Sequence, residues 1–322
     1  MPGAPAPRVH DPGAATGGDR LADHIRDVNV RYHDFAAPDY DSKWGISYGR
    51  SGRAQVLAKI AKALGNDPGH YPRSLEVGAG TGYFTINLLR AGVVEEATAI
   101  DISPGMLDEL RASAGRQGVQ VDTACCEAAD LPYPDGSFDL VIGHAVLHHL
   151  PDLDRAFAEF RRVLRPGGSV VFCGEPSLYG DRLSDVPKRA ALAAAPLWRR
   201  LIGAAKRPDE AFDDGDCEIG EHVLEWAVDV HAFTPGDLSS AARRAGFERV
   251  RVTGEELTAS LFGWVNRVLE STAEQEDVPY AWRLYAYRGY LALQALDRGL
   301  LEGRLPAAIF YNLLLSATAP AR

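Results

Sequence analysis

Apolar and polar positions change period several times along this chain, and each change marks an element. Val56, Leu57, Ile60, Ala61 and Leu64 recur at helical spacing and predict a helix over 50–65 with one apolar face. A second helical pattern covers 19–34. From residue 74 short apolar runs, read as strands at 74–78, 97–101, 119–124, 138–143 and 169–174, alternate with helical patterns at 83–91, 104–114 and 153–164. The helix at 153–164 is the plainest. Asp152 is placed to cap it, Leu153, Ala156, Phe157, Phe160 and Leu164 share a face, and Pro166-Gly167 should stop it. Such alternation predicts an α/β fold, a doubly wound parallel sheet with right-handed crossovers.

The rhythm then breaks. Residues 178–230 are too long for a simple connection; they hold a helical run at 186–206 and an acidic loop with Asp213, Asp214, Asp216 and Glu218. Thr234-Pro235 opens a helix ending at Gly246, a strand follows at 249–253, and 310–317 reads as a buried last strand. Between these two strands, Trp282, Tyr285, Gly289, Leu293, Leu296 and Leu300 lie along one helical stripe. Both insertions follow a strand, on the side where open α/β sheets bind ligands. They are expected to form a helical cap, the alternative being that they pack on one another or make a dimer face. The chain divides into a disordered tail (1–18), an N-terminal helical lid with an irregular aromatic stretch from Tyr32 and His33 to Tyr40 and Trp44 (19–72), a ligand-binding core (73–177), a helical insertion (178–232), and the rest of the sheet with its own insertion at 256–308 (233–322).

The candidate chemistry lies at the end of the first strand. Leu75-Glu76-Val77 runs straight into Gly78-Ala79-Gly80-Thr81-Gly82, and a helical pattern follows at once. Without a Cβ, a ligand can lie against bare backbone there, facing the amides that open the next helix. The spacing is G-x-G-x-G, tighter than the dinucleotide fingerprint. Asp101 ends the second strand about 20 residues on, placed to accept ribose hydroxyls, and Ser103-Pro104 supplies a cap and a first helical position. Three further stretches follow in order: Cys126-Glu127-Ala128-Ala129-Asp130 through Asp139-Leu140-Val141, then Gly143-His144-Ala145-Val146-Leu147-His148-His149-Leu150-Pro151-Asp152, then Val163-Leu164-Arg165-Pro166-Gly167-Gly168.

Together these motifs resemble the class I S-adenosylmethionine-dependent methyltransferases, in the form seen in small-molecule (type 11-like) members. The resemblance implies a Rossmann-like seven-stranded sheet, mostly parallel with an antiparallel last strand, and S-adenosyl-L-methionine as cofactor. It implies that Glu76 orients the loop and the cofactor's amino group, and that Gly78, Ala79, Gly80 and Gly82 form the cradle. Asp101 would hold the ribose, with Ile102 and Met106 beside it. Glu127 would take the adenine amine and the Ala128 amide the ring edge, Asp130 being the alternative in a shifted register. His144 would line the methionine end through its backbone. His148 and His149 are the candidate general bases, since imidazole titrates near neutrality; adjacent in sequence, only one can face the pocket, and a purely structural role is the alternative.

Composition narrows the partners. The formal net charge is −10 and no basic stripe stands out, which argues against a nucleic-acid partner; Arg199, Arg200, Lys206 and Arg207 read as a solvated helix face. The four cysteines, Cys125, Cys126, Cys173 and Cys217, fit neither a zinc site nor a disulfide framework, and the Asp213–Glu218 cluster matches no calcium loop, so no metal is expected. Residues 1–18 lack a signal-peptide core and no run is long enough for a membrane span. A cytoplasmic bacterial enzyme of secondary metabolism is expected, acting on a small or medium, largely apolar acceptor, with oxygen favoured and carbon or nitrogen open. A homodimer is compatible with this. The rival readings are a non-catalytic cofactor-binding protein, a nicotinamide-dependent oxidoreductase, and a protein or nucleic-acid methyltransferase.

Overall fold

The strands are β1 (Tyr71–Val77), β2 (Val94–Asp101), β3 (Asp122–Cys125), β4 (Phe138–His144), β5 (Leu164–Pro176), β6 (Glu248–Glu255) and β7 (Asn312–Thr318). In the computed structural model, which describes residues 17–41, 45–65, 67–207 and 231–321, they form one sheet in the order β3-β2-β1-β4-β5-β7-β6. β1 to β5 run parallel, and β7 lies antiparallel to both β5 and β6. The expected Rossmann-like sheet with its antiparallel last strand is what is found.

The helices are α1 (Gly17–Ala36), α2 (Arg50–Leu64), α3 (Tyr83–Ala91), α4 (Pro104–Gln117), α5 (Leu153–Val163), α6 (Leu178–Ile202), α7 (Pro235–Arg244), α8 (Thr258–Ser271) and α9 (Tyr280–Leu296). The central strands are apolar on both sides because both faces are covered. Leu75, Val141, Val170 and Phe172 belong to a core with Phe157 and Phe160 of α5 and Leu238 of α7. Leu140, Ile142 and Val171 belong to another with Val56 and Ile60 of α2 and Phe84 and Leu88 of α3. Caps fix the helix starts: Ser103 accepts from Met106 N, Asp152 from Arg155 N, and Thr234 and Asp237 make a reciprocal capping box.

Several strand bounds differ from the sequence reading, β1 starting at Tyr71 rather than 74 and β2 at Val94 rather than 97, and three further differences concern α5, β3 and α6. α5 stops at Val163, and Leu164 already pairs with Phe138, so Pro166-Gly167-Gly168 lies in the strand. The register shifts between Phe138 and Leu140, and Gly167 takes φ 79°; an irregular edge of this kind tolerates a proline that cannot donate to a ladder. β3 begins at Asp122 rather than 119, where pairing with Thr98 starts. α6 begins at Leu178, capped by Ser177, and runs through Pro187 and Pro196; Pro187 resembles a helix start when read alone, which hid the first two turns.

The insertions pack on one another. α6 meets α8 through a small core of Ala191, Ala195, Trp198, Leu269, Ala273 and Val278. α9 packs on α8, with Phe262 against Tyr285 at 5.6 Å between ring centroids. A Cβ on Gly289 would lie 2.6 Å from the Phe262 ring, so the glycine permits that approach. The stripe on α9 is only half covered, and none of that helix's residues is fully buried. Most of the tail, Trp44, Cys217 and the 213–218 acidic loop fall outside the described residues. Among the described residues no helix is long and apolar enough to cross a membrane.

Phe157 is wholly buried and its ring meets Phe160, Phe172 and Phe247 edge-on. Phe157→Ala is expected to lower unfolding free energy by about 3–5 kcal/mol, read from urea titration.

Candidate functional site

The strand order reverses between β1 and β4, and there the carboxyl ends of the strands leave a crevice. The glycine loop lines it. Gly78, Gly80 and Gly82 all have positive φ (60°, 50° and 88°), a region costly for other residues. Their surroundings separate their roles. A Cβ on Gly78 would lie 2.3 Å from Val146, and one on Gly82 2.8 Å from Leu110, so these two serve close packing. Above Gly80 the nearest atom is a Tyr40 ring carbon at 4.0 Å. That is the bare backbone a ligand can approach.

Three strand-end carboxylates stitch the loops to the sheet. Glu76, buried at the end of β1, accepts the Thr85 amide at 2.8 Å. Burial pushes its carboxyl up to about 7. Asp101, ending β2, accepts Gly80 N and Ser103 N, each at 2.9 Å, and so ties the glycine loop to the start of α4. Glu175, wholly buried in β5, accepts Val146 N (3.0 Å), Leu147 N (3.1 Å) and His148 N (3.2 Å), and its Oε2 lies 2.9 Å from His148 Nδ1. The sequence reading missed Glu175. Its only signal was an acid in an otherwise apolar strand end, Cys173-Gly174-Glu175-Pro176.

The histidines separate as their neighbours dictate. Leu147–His149 form one short helical turn, in which His148 is buried against Glu175 and His149 is half-buried. Their rings lie 4.0 Å apart, and His33 of α1 meets His149 edge-on at 5.5 Å. His144 stacks on Phe84 at 4.8 Å, and a Cβ on Gly174 would collide with its ring. Burial, aided by the Lys59 charge, pushes the His144 imidazole down to about 3, so it is neutral in use.

α1 and the turn after it close over this edge. Arg26 pairs with Glu127 at 2.9 Å, and the Asp34 carboxylate accepts Ser103 Oγ and, at 2.9 Å, Gly105 N. Asp41 accepts Thr81 Oγ1 at 2.6 Å. Beneath them lies a cleft of about 370 Å³ lined by Arg26, Val30, Ile102, Cys125, Cys126 and Glu127. Ala128 is buried beside Glu127, and of the two acids weighed for this position Glu127 lines the cleft, together with Asp27 of α1, while Asp130 does not. Met106 differs: its side chain is 1% exposed and its amide donates to Ser103, so it packs under the site rather than in the open. Ala79 likewise donates its amide to Ile100 O. An open glycine edge, a strand-end acid beside it and a cleft leading to a second acid fit a nucleoside-bearing cofactor.

The opposite wall holds a buried ion cluster that no local pattern announces. Lys59 of α2 meets Glu255 and Glu256, and Lys62 bridges Glu255 (2.8 Å) and Glu302 (2.7 Å). Glu256, at φ 63°, also accepts Tyr290 OH (2.8 Å), Gln294 (2.9 Å) and Asn312 (3.2 Å). Against desolvation, Glu255 and Glu256 hold the Lys59 ammonium well above its ordinary value. Among the described residues no group of His, Cys, Asp and Glu could hold a metal ion.

Comparison with known proteins agrees with this geometry. Residues 75–172 match a family model described as a methyltransferase domain. A malonyl-[acyl-carrier protein] O-methyltransferase from Geobacter sulfurreducens is 31% identical over 74% of this chain and 92% of its own. A 27-O-demethylrifamycin SV methyltransferase from Amycolatopsis mediterranei is 33% identical over 56% of this chain and 63% of its own. Among solved structures, the [4+2]-cyclase SpnF superposes with a TM-score of 0.55 at 19% identity, covering 91% of this chain and 96% of the other, a likeness of fold.

The raised carboxyl of Glu76 has a measurable consequence. Its folded value of about 7 lies above the ordinary 4.5, so between these pH values the unfolded chain has released a proton that the folded chain keeps. Stability from this group is full below about 4.5 and declines by about 1.4 kcal/mol per pH unit up to about 7. His144 acts with opposite sign between about 3 and 6.5, so only a difference isolates Glu76. Urea unfolding without cofactor at pH 5 and pH 7 should show Glu76→Gln gaining on the wild type as pH rises; a constant difference would contradict the assignment.

Proposed function

The chain belongs to the S-adenosylmethionine-dependent methyltransferase family, and from that premise we propose that it O-methylates a small or medium, largely apolar metabolite. The observation that carries the choice of oxygen is the Glu175–His148 pair. A hydroxyl acceptor must lose its proton, and Glu175, in the tautomer where it accepts from Nδ1–H, orients the His148 ring to act as a base through Nε2. This logic needs the base oriented before reaction, and Glu175 does so while also holding the three amides that position the turn. His149, beside it, is the second candidate.

Bound S-adenosylmethionine supplies an electrophilic methyl group set up for in-line displacement. The chain's own residues bind, orient and exclude water. Gly80 offers backbone at close approach, and Asp101 keeps lone pairs for ribose hydroxyls while anchoring the loop. Glu127 is placed for the adenine amine, sharing its charge with Arg26. Glu76 is placed to meet the amino group, whose positive charge would draw its carboxyl back into the ionised form. Tyr40 and α1 close the edge against water, and the aromatic side chains of the 256–308 insertion, Phe262, Trp264, Trp282 and Tyr285 among them, suit an apolar acceptor. Both relatives quoted above are named for methyl transfer to oxygen, which supports the choice; similar proteins also include quinone C-methyltransferases, so carbon acceptors belong in the test.

The test is turnover with methyl-labelled cofactor and a panel of apolar alcohols, phenols, carboxylic acids, amines and activated carbons. Label transfer confined to carbon or nitrogen acceptors would overturn the oxygen reading. With an oxygen acceptor in hand, His148→Gln should lower kcat by about 10²–10⁴ and remove the rise of rate with pH, while S-adenosylhomocysteine affinity is retained. Asp101→Asn should instead weaken S-adenosylhomocysteine by about 1.5–3 kcal/mol, measured by calorimetry. Unchanged affinity would remove Asp101 from the ribose site.

A further inference from the structure

The outer face of α6 has no role in the site described above. Its inner face, Ser184, Ala191, Ala195 and Trp198, is buried against the insertion core. At about 100° per residue, Tyr179, Leu183, Val186, Ala190, Leu197 and Leu201 fall within about 60° of one another on a different face. The five large side chains are exposed by 50%, 46%, 71%, 63% and 77%. The stripe therefore spans almost the whole 25-residue helix, about 35 Å at 1.5 Å per residue, with Ala190 as its member between Val186 and Leu197, while Leu192, also exposed, lies off it. Scattered exposed leucines need no explanation, but a continuous stripe does.

Charge is distributed with the same period. Arg182, Arg189 and Arg200 fall in one column about 80° round from the stripe. None of the three has an ion-pair partner among the described residues. The helix carries five bases and two acids in a chain of net charge −10, and one of those acids, Asp181, is taken by Lys188 at 3.1 Å. An apolar stripe flanked by an arginine column on a convex, single helix fits a flat, negatively charged, apolar partner rather than a groove-filling one. An antiparallel second copy of the helix would set the two arginine columns side by side.

We propose that α6 is a peripheral membrane-docking helix whose Tyr179–Leu201 stripe enters an anionic phospholipid surface while Arg182, Arg189 and Arg200 lie at its headgroups. The helix is capped by Ser177, two residues after Glu175, and Leu178 N donates to Phe233 O at the same edge. Docking therefore holds the crevice end of the sheet next to the lipid. An acceptor dissolved in the bilayer would be within reach, but the docking itself does not depend on the acceptor or on methyl transfer.

The experiment is co-sedimentation of the full chain with vesicles of pure phosphatidylcholine and of phosphatidylcholine mixed with phosphatidylglycerol, at low and high salt. Binding is expected only to the anionic vesicles and should weaken as salt rises. An arginine near such a surface contributes roughly fivefold in partitioning, so R182Q/R189Q/R200Q should lose on the order of a hundredfold. V186D/L197D should lose binding at any salt. Both variants are surface changes, and retained S-adenosylhomocysteine binding shows that they are folded. Absence of binding to anionic vesicles, or binding equal in the variants, overturns the proposal. It is also overturned if the variants turn a dimer into a monomer, lose a complex with an acidic protein, or drop several degrees in Tm without vesicles. This last result would mean that the face is covered from within, for example by residues 208–230 with their nine carboxylates and no Lys or Arg.

Discussion

The Asp101 carboxylate is the joint on which the crevice depends. A loop with three left-handed glycines has few side chains to hold it, and its amides would otherwise sample many directions. One oxygen of Asp101 fixes Gly80 N and the other fixes Ser103 N, so a single charged group sets the glycine loop and the start of α4 in one frame. Charge-assisted bonds of this kind are about twice as strong as neutral ones. They also leave each oxygen a lone pair. The same atoms that build the cradle can therefore still meet a ligand, which a fully spent carboxylate could not.

Glu76 and Glu175 extend the device along the sheet edge. Each of the three acids sits at the carboxyl end of a parallel strand and accepts backbone N–H groups from a neighbouring loop. Their electrostatic states differ with what surrounds them. Glu76 has one amide and deep burial, and its carboxyl rises to about 7. Glu175 gathers three amides and lies against the His148 imidazole, wholly buried in β5. The consequence is a turn, 146–148, held rigidly enough to aim a histidine.

Local periodicity made most of the fold legible before any coordinates. The strands at β1, β2, β4, β5 and β7 and the helices α3, α4, α5 and α7 follow from apolar spacing with caps at Ser103, Asp152 and Thr234, whereas the antiparallel direction of the last strand followed from the family resemblance alone. The glycine loop and Asp101 were legible because their spacing is short and their chemistry specific. What escaped depends on distance in sequence. Glu175 reaches His148 across 27 residues and Lys59 reaches Glu255 across 196; no window of sequence shows either meeting. Pro187 and Pro166 misled for another reason. Each carries a strong local preference that tertiary pairing overrides, the first inside a helix anchored on α8 and the second at an irregular strand edge.

The ion cluster on the opposite wall obeys a different economy from the strand-end acids. Burying Lys59, Lys62, Glu255, Glu256 and Glu302 together gains little net stability, since desolvation offsets attraction. An apolar cluster of the same volume would hold α2 to the insertion at least as firmly. What an apolar cluster would not do is fix orientation. Glu256, strained at φ 63°, is satisfied only when Tyr290 and Gln294 of α9, Asn312 of β7 and Lys59 of α2 all arrive together. Removing any one leaves a buried charge short of partners, which is costly. The cluster therefore selects one placement of α9 against the core, and with it one shape for the wall that faces His144. Stability is supplied elsewhere, by the phenylalanines around α5 and β5; geometry at the crevice is supplied by charge.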